Sequence, residues 1–217
     1  MTSSPHTAPL TKREEIAEGT MAFHFAKPAH FQFRAGQSMD LSLLNPLEAD
    51  AEGNTPTFSI ASAPFDHDLM IATRMRDTAF KRVLRSAAPG IQVKIDGPSG
   101  SFTLHRKPEK PAVFLAGGIG ITPFLSIIRQ TEHDAAPHHI YLFYSNRRPE
   151  DAAQVAVTRV SSCEEAKLAV GVAGRVKRGR RSTIAQLLVR MLGLGTDLQS
   201  SYSIVASDRR QALGITR

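Results

Sequence analysis

Residues Ala112 to Leu125 read Ala-Val-Phe-Leu-Ala-Gly-Gly-Ile-Gly-Ile-Thr-Pro-Phe-Leu, and no other run constrains the fold as tightly. Val113 to Ala116 are apolar throughout, the pattern of a central parallel strand buried on both faces. Gly117, Gly118 and Gly120 permit a tight turn and let a ligand approach the backbone with no Cβ in the way. Thr122 is placed to cap the helix that follows, and Pro123 suits its first turn. Phe124, Leu125, Ile127 and Ile128 mark one face of that helix. Unpaired N–H groups at such a helix start suit an anion, typically a diphosphate. The same residues also fit a plain strand-to-helix turn.

Ile140-Tyr-Leu-Phe-Tyr144 supplies a second strand rich in β-formers. A strand, helix, strand order implies a right-handed crossover and a parallel sheet. Upstream the pattern is different. Short alternating runs lie at Glu15 to Phe25, Phe33 to Leu43, Leu69 to Arg76 and Ile91 to Ile95, with turn formers between them. Several such runs in series predict an antiparallel barrel. Asn45 to Thr55 is polar and reads as a loop. Asp77 to Leu84 reads as a helix with Asp77 or Thr78 as cap, ended by Pro89-Gly90. Gly97-Pro98 reads as a turn.

Three blocks in order carry a family resemblance: Thr57-Phe-Ser-Ile-Ala-Ser-Ala-Pro64, Asp96-Gly-Pro-Ser-Gly-Ser-Phe102 and Gly117-Gly-Ile-Gly-Ile-Thr-Pro123. Together they resemble the ferredoxin–NADP reductase-like flavoprotein superfamily, over roughly residues 12 to 153. The resemblance implies an α+β unit followed by an α/β unit. Residues 1–107 would form an antiparallel six-stranded flavin-binding β-barrel. Residues 108–217 would form an incomplete parallel-sheet dinucleotide domain, atypical from about 154 onward.

The resemblance also implies chemistry. NADH or NADPH would pass hydride to FAD (FMN stays open), and electrons would go on to a redox acceptor protein or a small-molecule acceptor. Phe58 would lie against the flavin ring, Ser59 would be the catalytic residue at flavin N5, and Ile60 would stand beside them. Phe58 and Ile60 fit equally as inward residues of a buried strand. Thr78 and Ala79, at a helix start, would receive the flavin diphosphate. Gly117, Gly118, Gly120, Thr122 and Pro123 would hold the nicotinamide dinucleotide. Arg147 and Arg148 would meet its 2′-phosphate or its diphosphate, or stand as surface charges. One position departs from the pattern: the arginine of the family's flavin block falls at Pro56, which has no charge and no N–H. Arg74 and Arg76 are the nearby cations that could replace it, and the alternative is a degenerate flavin-binding protein without reductase activity.

The net charge of +7 raises a nucleic-acid reading that its distribution opposes. Residues 1–150 hold 16 Lys and Arg against 15 Asp and Glu, so the excess lies in the tail. The single cysteine, Cys163, excludes an internal disulfide framework and a cysteine-held iron–sulfur cluster. Met1 to Leu10 lacks the pattern of a signal peptide, and no apolar run reaches the ~18 residues of a membrane span. The expectation is a cytoplasmic monomer with no metal site, no nucleic-acid partner and no membrane span.

All 11 phenylalanines lie at or before Phe143, and the chain turns basic and glycine-rich around Val170 to Ser182. Ile184 to Leu194 carries an apolar stripe at helical spacing, and the last residues show no evident strand to complete the sheet. A shifted reading frame beginning shortly after Ala153 would account for the change. With suitable codons, Arg175 to Gly179 becomes Gly-Glu-Thr-Gly and Ser207 to Gln211 becomes Gly-Pro-Pro-Ala, blocks similar to those of the family. The alternative is a solvated basic loop at Lys177 to Arg181, or less often a phosphate or nucleic-acid patch.

Overall fold

The computed structural model describes residues 5–46, 48–146, 149–151, 166–171 and 203–206. Cys163, Lys177 to Arg181, the Ile184 to Leu194 stripe and both shifted-frame blocks lie outside these residues, as do Arg147 and Arg148.

Six strands form one antiparallel sheet: β1 (His6–Ala17), β2 (Thr20–Ala26), β3 (Ser38–Leu43), β4 (Thr57–Ser59), β5 (Asp68–Arg74) and, after helix α1 (Ala79–Ser86), β6 (Gln92–Ser99). Their order is β4-β3-β6-β1-β2-β5. The two ends of the sheet approach each other, where the Ala61 amide donates to the Met70 carbonyl at 2.7 Å. The run from Glu15 to Phe25 is a hairpin: Gly19 turns at φ 62, in the left-handed region that suits glycine, and its N–H donates to Glu15 Oε1 at 3.1 Å. Only Ser38 onward of the Phe33 to Leu43 run is strand. Gly97-Pro98 lies within β6 rather than in a turn after it.

Strand alternation places the barrel core. On β6, Val93 and Ile95 are fully buried between exposed Gln92, Lys94 and Asp96. With Phe23, Phe25, Met39, Leu41, Ile60, Leu69 and Ile71 they fill the interior, and Leu84 of α1 closes it.

The second sheet is parallel: β7 (Ala112–Gly117), β8 (Ile140–Ser145), β9 (Ala166–Gly171) and β10 (Ser203–Ala206), ordered β10-β7-β8-β9. β10 corrects the expectation that the last residues add no strand, since Ser203 to Ala206 pair in parallel with Ala112 to Leu115. A 3-10 turn (Gly118–Ile121) joins β7 to α2 (Thr122–His133).

β5 is buried along both faces because each face serves a different core. Leu69 and Ile71 belong to the barrel interior. Met70 and Ala72 belong to a second cluster with Phe114, Phe124 and Tyr144 of the parallel unit. Polar contacts fasten the same junction. Ser126 Oγ donates to the Ser62 carbonyl at 2.6 Å, and Arg129 forks onto Asp66, with Nη2 to Oδ1 at 2.7 Å. Gly36, at φ 94, is closed in from both units: a Cβ there would stand 2.1 Å from the Phe102 carbonyl oxygen and 2.9 Å from Ile127 Cδ1 of α2.

Candidate functional site

A cleft of about 710 Å³ opens between the two units, within the usual range for small-molecule sites of ~300–1,000 Å³. The barrel contributes β4, the end of β5 and the start of α1. The parallel unit contributes the carboxyl end of β7 and the turn after it. β7 has β8 on one side and β10 on the other, so the strand order reverses there. The crevice at the carboxyl end of such a strand is where open parallel sheets take ligands.

Phe58, Ser59, Arg74, Arg76, Gly117, Gly120 and Thr122 all line this cleft, so residues 64 positions apart in sequence share one wall. Ser59 is half-buried, and its hydroxyl has no hydrogen bond to another described residue. Phe58 is only 7% exposed; its ring packs against Phe80 at 6.0 Å between centroids, so it is largely a core residue that still reaches the cleft.

Other expected residues lie elsewhere. Ile60 is completely buried in the barrel core, and its amide donates to the Gln37 carbonyl at 2.9 Å. Alternation on the strand turns it inward when Ser59 faces out. Thr122 does not cap α2. It is the helix's first residue, and its hydroxyl donates to the Ile119 carbonyl at 3.2 Å because the 3-10 turn occupies the cap position. Pro123 sits in the first turn, as its fixed φ favours. Gly118, at φ 50, shapes the turn without lining the cleft.

At α1, Thr78 is the N-cap, its hydroxyl accepting from the Lys81 amide at 3.4 Å. The Ala79 amide is already taken, donating to Asp50 Oδ2 at 2.5 Å. Glu48 of the same loop pairs with Arg82 Nη2 at 2.6 Å. The hydrogen bond to Glu48, then that to Asp77, raises the Arg82 pKa above its ordinary value. The loop before Pro56 is therefore tied to α1 by two carboxylates, and Glu52 beside them lines the cleft. Sequence reasoning missed these acids because a polar loop carries no periodicity to place them.

Three cations share the cleft with Pro56: Arg74, Arg76 and Lys81. Arg76 is exposed and makes no ion pair with a described residue. Lys81 Nζ donates to the Arg74 carbonyl at 2.7 Å. Arg74 Nη2 donates to Asp151 Oδ1 at 3.1 Å, across the junction between units. Among the described residues no group of three or more His, Cys, Asp or Glu could hold a metal, and no helix is long and apolar enough to cross a membrane.

Comparison with known proteins gives this geometry a lineage. Residues 114–192 match the family model for the oxidoreductase NAD-binding domain. Ferredoxin–NADP reductase B of Sorangium cellulosum is 32% identical over 136 residues, covering 60% of this chain and 53% of that protein. A ferredoxin–NADP+ reductase from Neisseria gonorrhoeae, solved with bound FAD and NADP, superposes with a TM-score of 0.74 at 18% identity, covering 94% of this chain and 85% of the other. The fold is that of ferredoxin–NADP reductases, and the parallel unit is similar to the oxidoreductase NAD-binding domain. The chain is also similar to the propane 2-monooxygenase reductase component of Rhodococcus jostii, 26% identical over 145 residues, 65% of this chain and 38% of the relative. The chain spans about half the length, or less, of these curated relatives.

Proposed function

We propose that the chain is the flavin and nicotinamide module of an electron-transfer reductase, taking hydride from NADH or NADPH onto FAD and delivering electrons to an acceptor. The observation that carries this reading is the one cleft in which Ser59 of the barrel meets Gly117, Gly120 and Thr122 of the parallel unit. The cleft fits a flavin: it is large enough, has apolar walls at Phe58, Ala72, Leu115 and Ala116, and holds three cations for a phosphate. A bound flavin would supply the conversion of a two-electron hydride into single electrons.

The chain's own residues do the positioning. The Ser59 hydroxyl offers a hydrogen bond to the ring edge. Gly117 and Gly120 let the nicotinamide dinucleotide approach the backbone closely. Arg74 and Arg76 meet the flavin phosphate in place of the arginine that Pro56 displaces. The apolar side chains of Phe58, Ala72, Leu115 and Ala116 offer surface against which a flat ring can pack. The relatives that are named as monooxygenase reductase components support a protein acceptor, such as an oxygenase partner. Residues 1–107 and 108–217 act as the two binding units.

Pro56 supports a second reading, flavin binding without reduction. One experiment tests both. The purified protein should be yellow and bleach on anaerobic addition of NADH or NADPH. Bound flavin that keeps its colour establishes the second reading, and a protein that takes up no flavin refutes both.

A further inference from the structure

The turn that follows β8 reaches back to the barrel at the cleft. Pro149 to Asp151 form a 3-10 turn there. The Glu150 carbonyl accepts from the Glu18 amide at 3.2 Å, and Asp151 Oδ1 accepts from Arg74 Nη2 at 3.1 Å. The Asp151 side chain is only 6% exposed, whereas that of Arg74 is 40% exposed and lines the cleft. A carboxylate so buried needs a cationic partner. An arginine held through one nitrogen keeps the other donors of its planar fork for a second partner. Lys81 fixes the base of the same arm through the Arg74 carbonyl.

We infer that Asp151, contributed by the parallel unit, is a positioning residue that aims the Arg74 guanidinium at the cofactor's phosphate and so replaces the cation lost at Pro56. The inference rests on the flavin reading above and extends it, because the phosphate site of the barrel is then completed by the other unit. Seating the turn after β8 and forming the phosphate site become one event.

Equilibrium dialysis of the apo-protein against riboflavin, FMN and FAD, read by visible absorbance, tests this without any turnover. The three ligands share a ring and differ in phosphate. Arg74→Gln should weaken FMN and FAD by about tenfold and leave riboflavin unchanged, as expected for loss of one charge-assisted hydrogen bond. Asp151→Asn, nearly isosteric, should weaken the same two by roughly threefold. The double variant should bind no worse than Arg74→Gln, since both changes act through one guanidinium. Arg74→Lys should recover part of the affinity. Equal losses for all three ligands, or tighter FMN binding by Asp151→Asn, would overturn the inference while leaving the flavin reading intact. Failure of the unaltered protein to bind any of the three would remove the flavin reading, and this inference with it.

Discussion

Ser59 illustrates how much a single side chain is asked to do. Its neighbours Phe58 and Ile60 belong to the barrel core, whereas Ser59 lines the cleft with a hydroxyl that bonds to no other described residue. Ser59→Ala should leave flavin uptake intact and slow nicotinamide-dependent bleaching by roughly a hundredfold, the scale for losing one well-placed donor. Stopped-flow absorbance measures it, and an unchanged rate would remove Ser59 from the reaction. Glu14 gives a prediction about pH. The Lys12 ammonium, 2.8 Å away, lowers the Glu14 pKa from its ordinary 4.5; burial opposes this, and His24 adds to it. A carboxyl whose folded pKa is depressed stabilises the fold above its unfolded pKa, and that contribution disappears as pH falls through the folded value. Glu14→Gln should therefore cost about 0.5 kcal/mol near neutral pH, a value kept small by partial exposure. Thermal melts should converge with those of the unaltered protein once the pH has fallen below the depressed folded pKa; a constant difference across the range would contradict the pairing.

At the scale of elements, α1 is the helix whose start is most directly held. Asp50 reaches it from a loop 29 residues upstream and takes the Ala79 amide. Asp50→Ala should cost about 1 kcal/mol, whereas Asp50→Asn, which keeps an acceptor, should cost only a few tenths. Urea unfolding distinguishes them, and equal losses would mean that the hydrogen bond contributes nothing. This capping shows what local pattern can and cannot reveal. The strand at Val113 to Ala116, the helix face at Phe124 to Ile128 and the Thr78 cap follow from rules within a few residues, and the structure has them. Thr122 is misplaced by those rules because four residues of 3-10 turn intervene and satisfy the cap position from the backbone. The contacts Asp50 to Ala79 and Arg74 to Asp151 join segments 29 and 77 residues apart, and no local rule reaches that far. For the cleft, the sequence therefore supplied one wall at a time, and only the fold shows that the walls face each other.

For the molecule as a whole, the junction between units decides whether the cleft exists. Asp66 and Arg129 form its most buried ion pair among the described residues, with side chains 13% and 19% exposed. Asp66→Ala leaves the guanidinium sealed without its carboxylate, a loss of about 3 kcal/mol. Calorimetry should then show the barrel and the parallel unit melting separately, where the unaltered protein melts in one transition; an unsplit, unshifted peak would count against the junction as the coupling element. β5 gives that junction a sharper property. Adjacent residues on it answer to different interiors, Leu69 and Ile71 to one and Met70 and Ala72 to the other. Deleting one residue just ahead of the strand would swap the two sets at a stroke, forcing bulky side chains into the space fitted to an alanine and leaving voids where they had been. Drift in length is thus barred at this strand even where drift in composition is tolerated, and lineages of such chains should vary the loop after Ala63 in letters far more freely than in number.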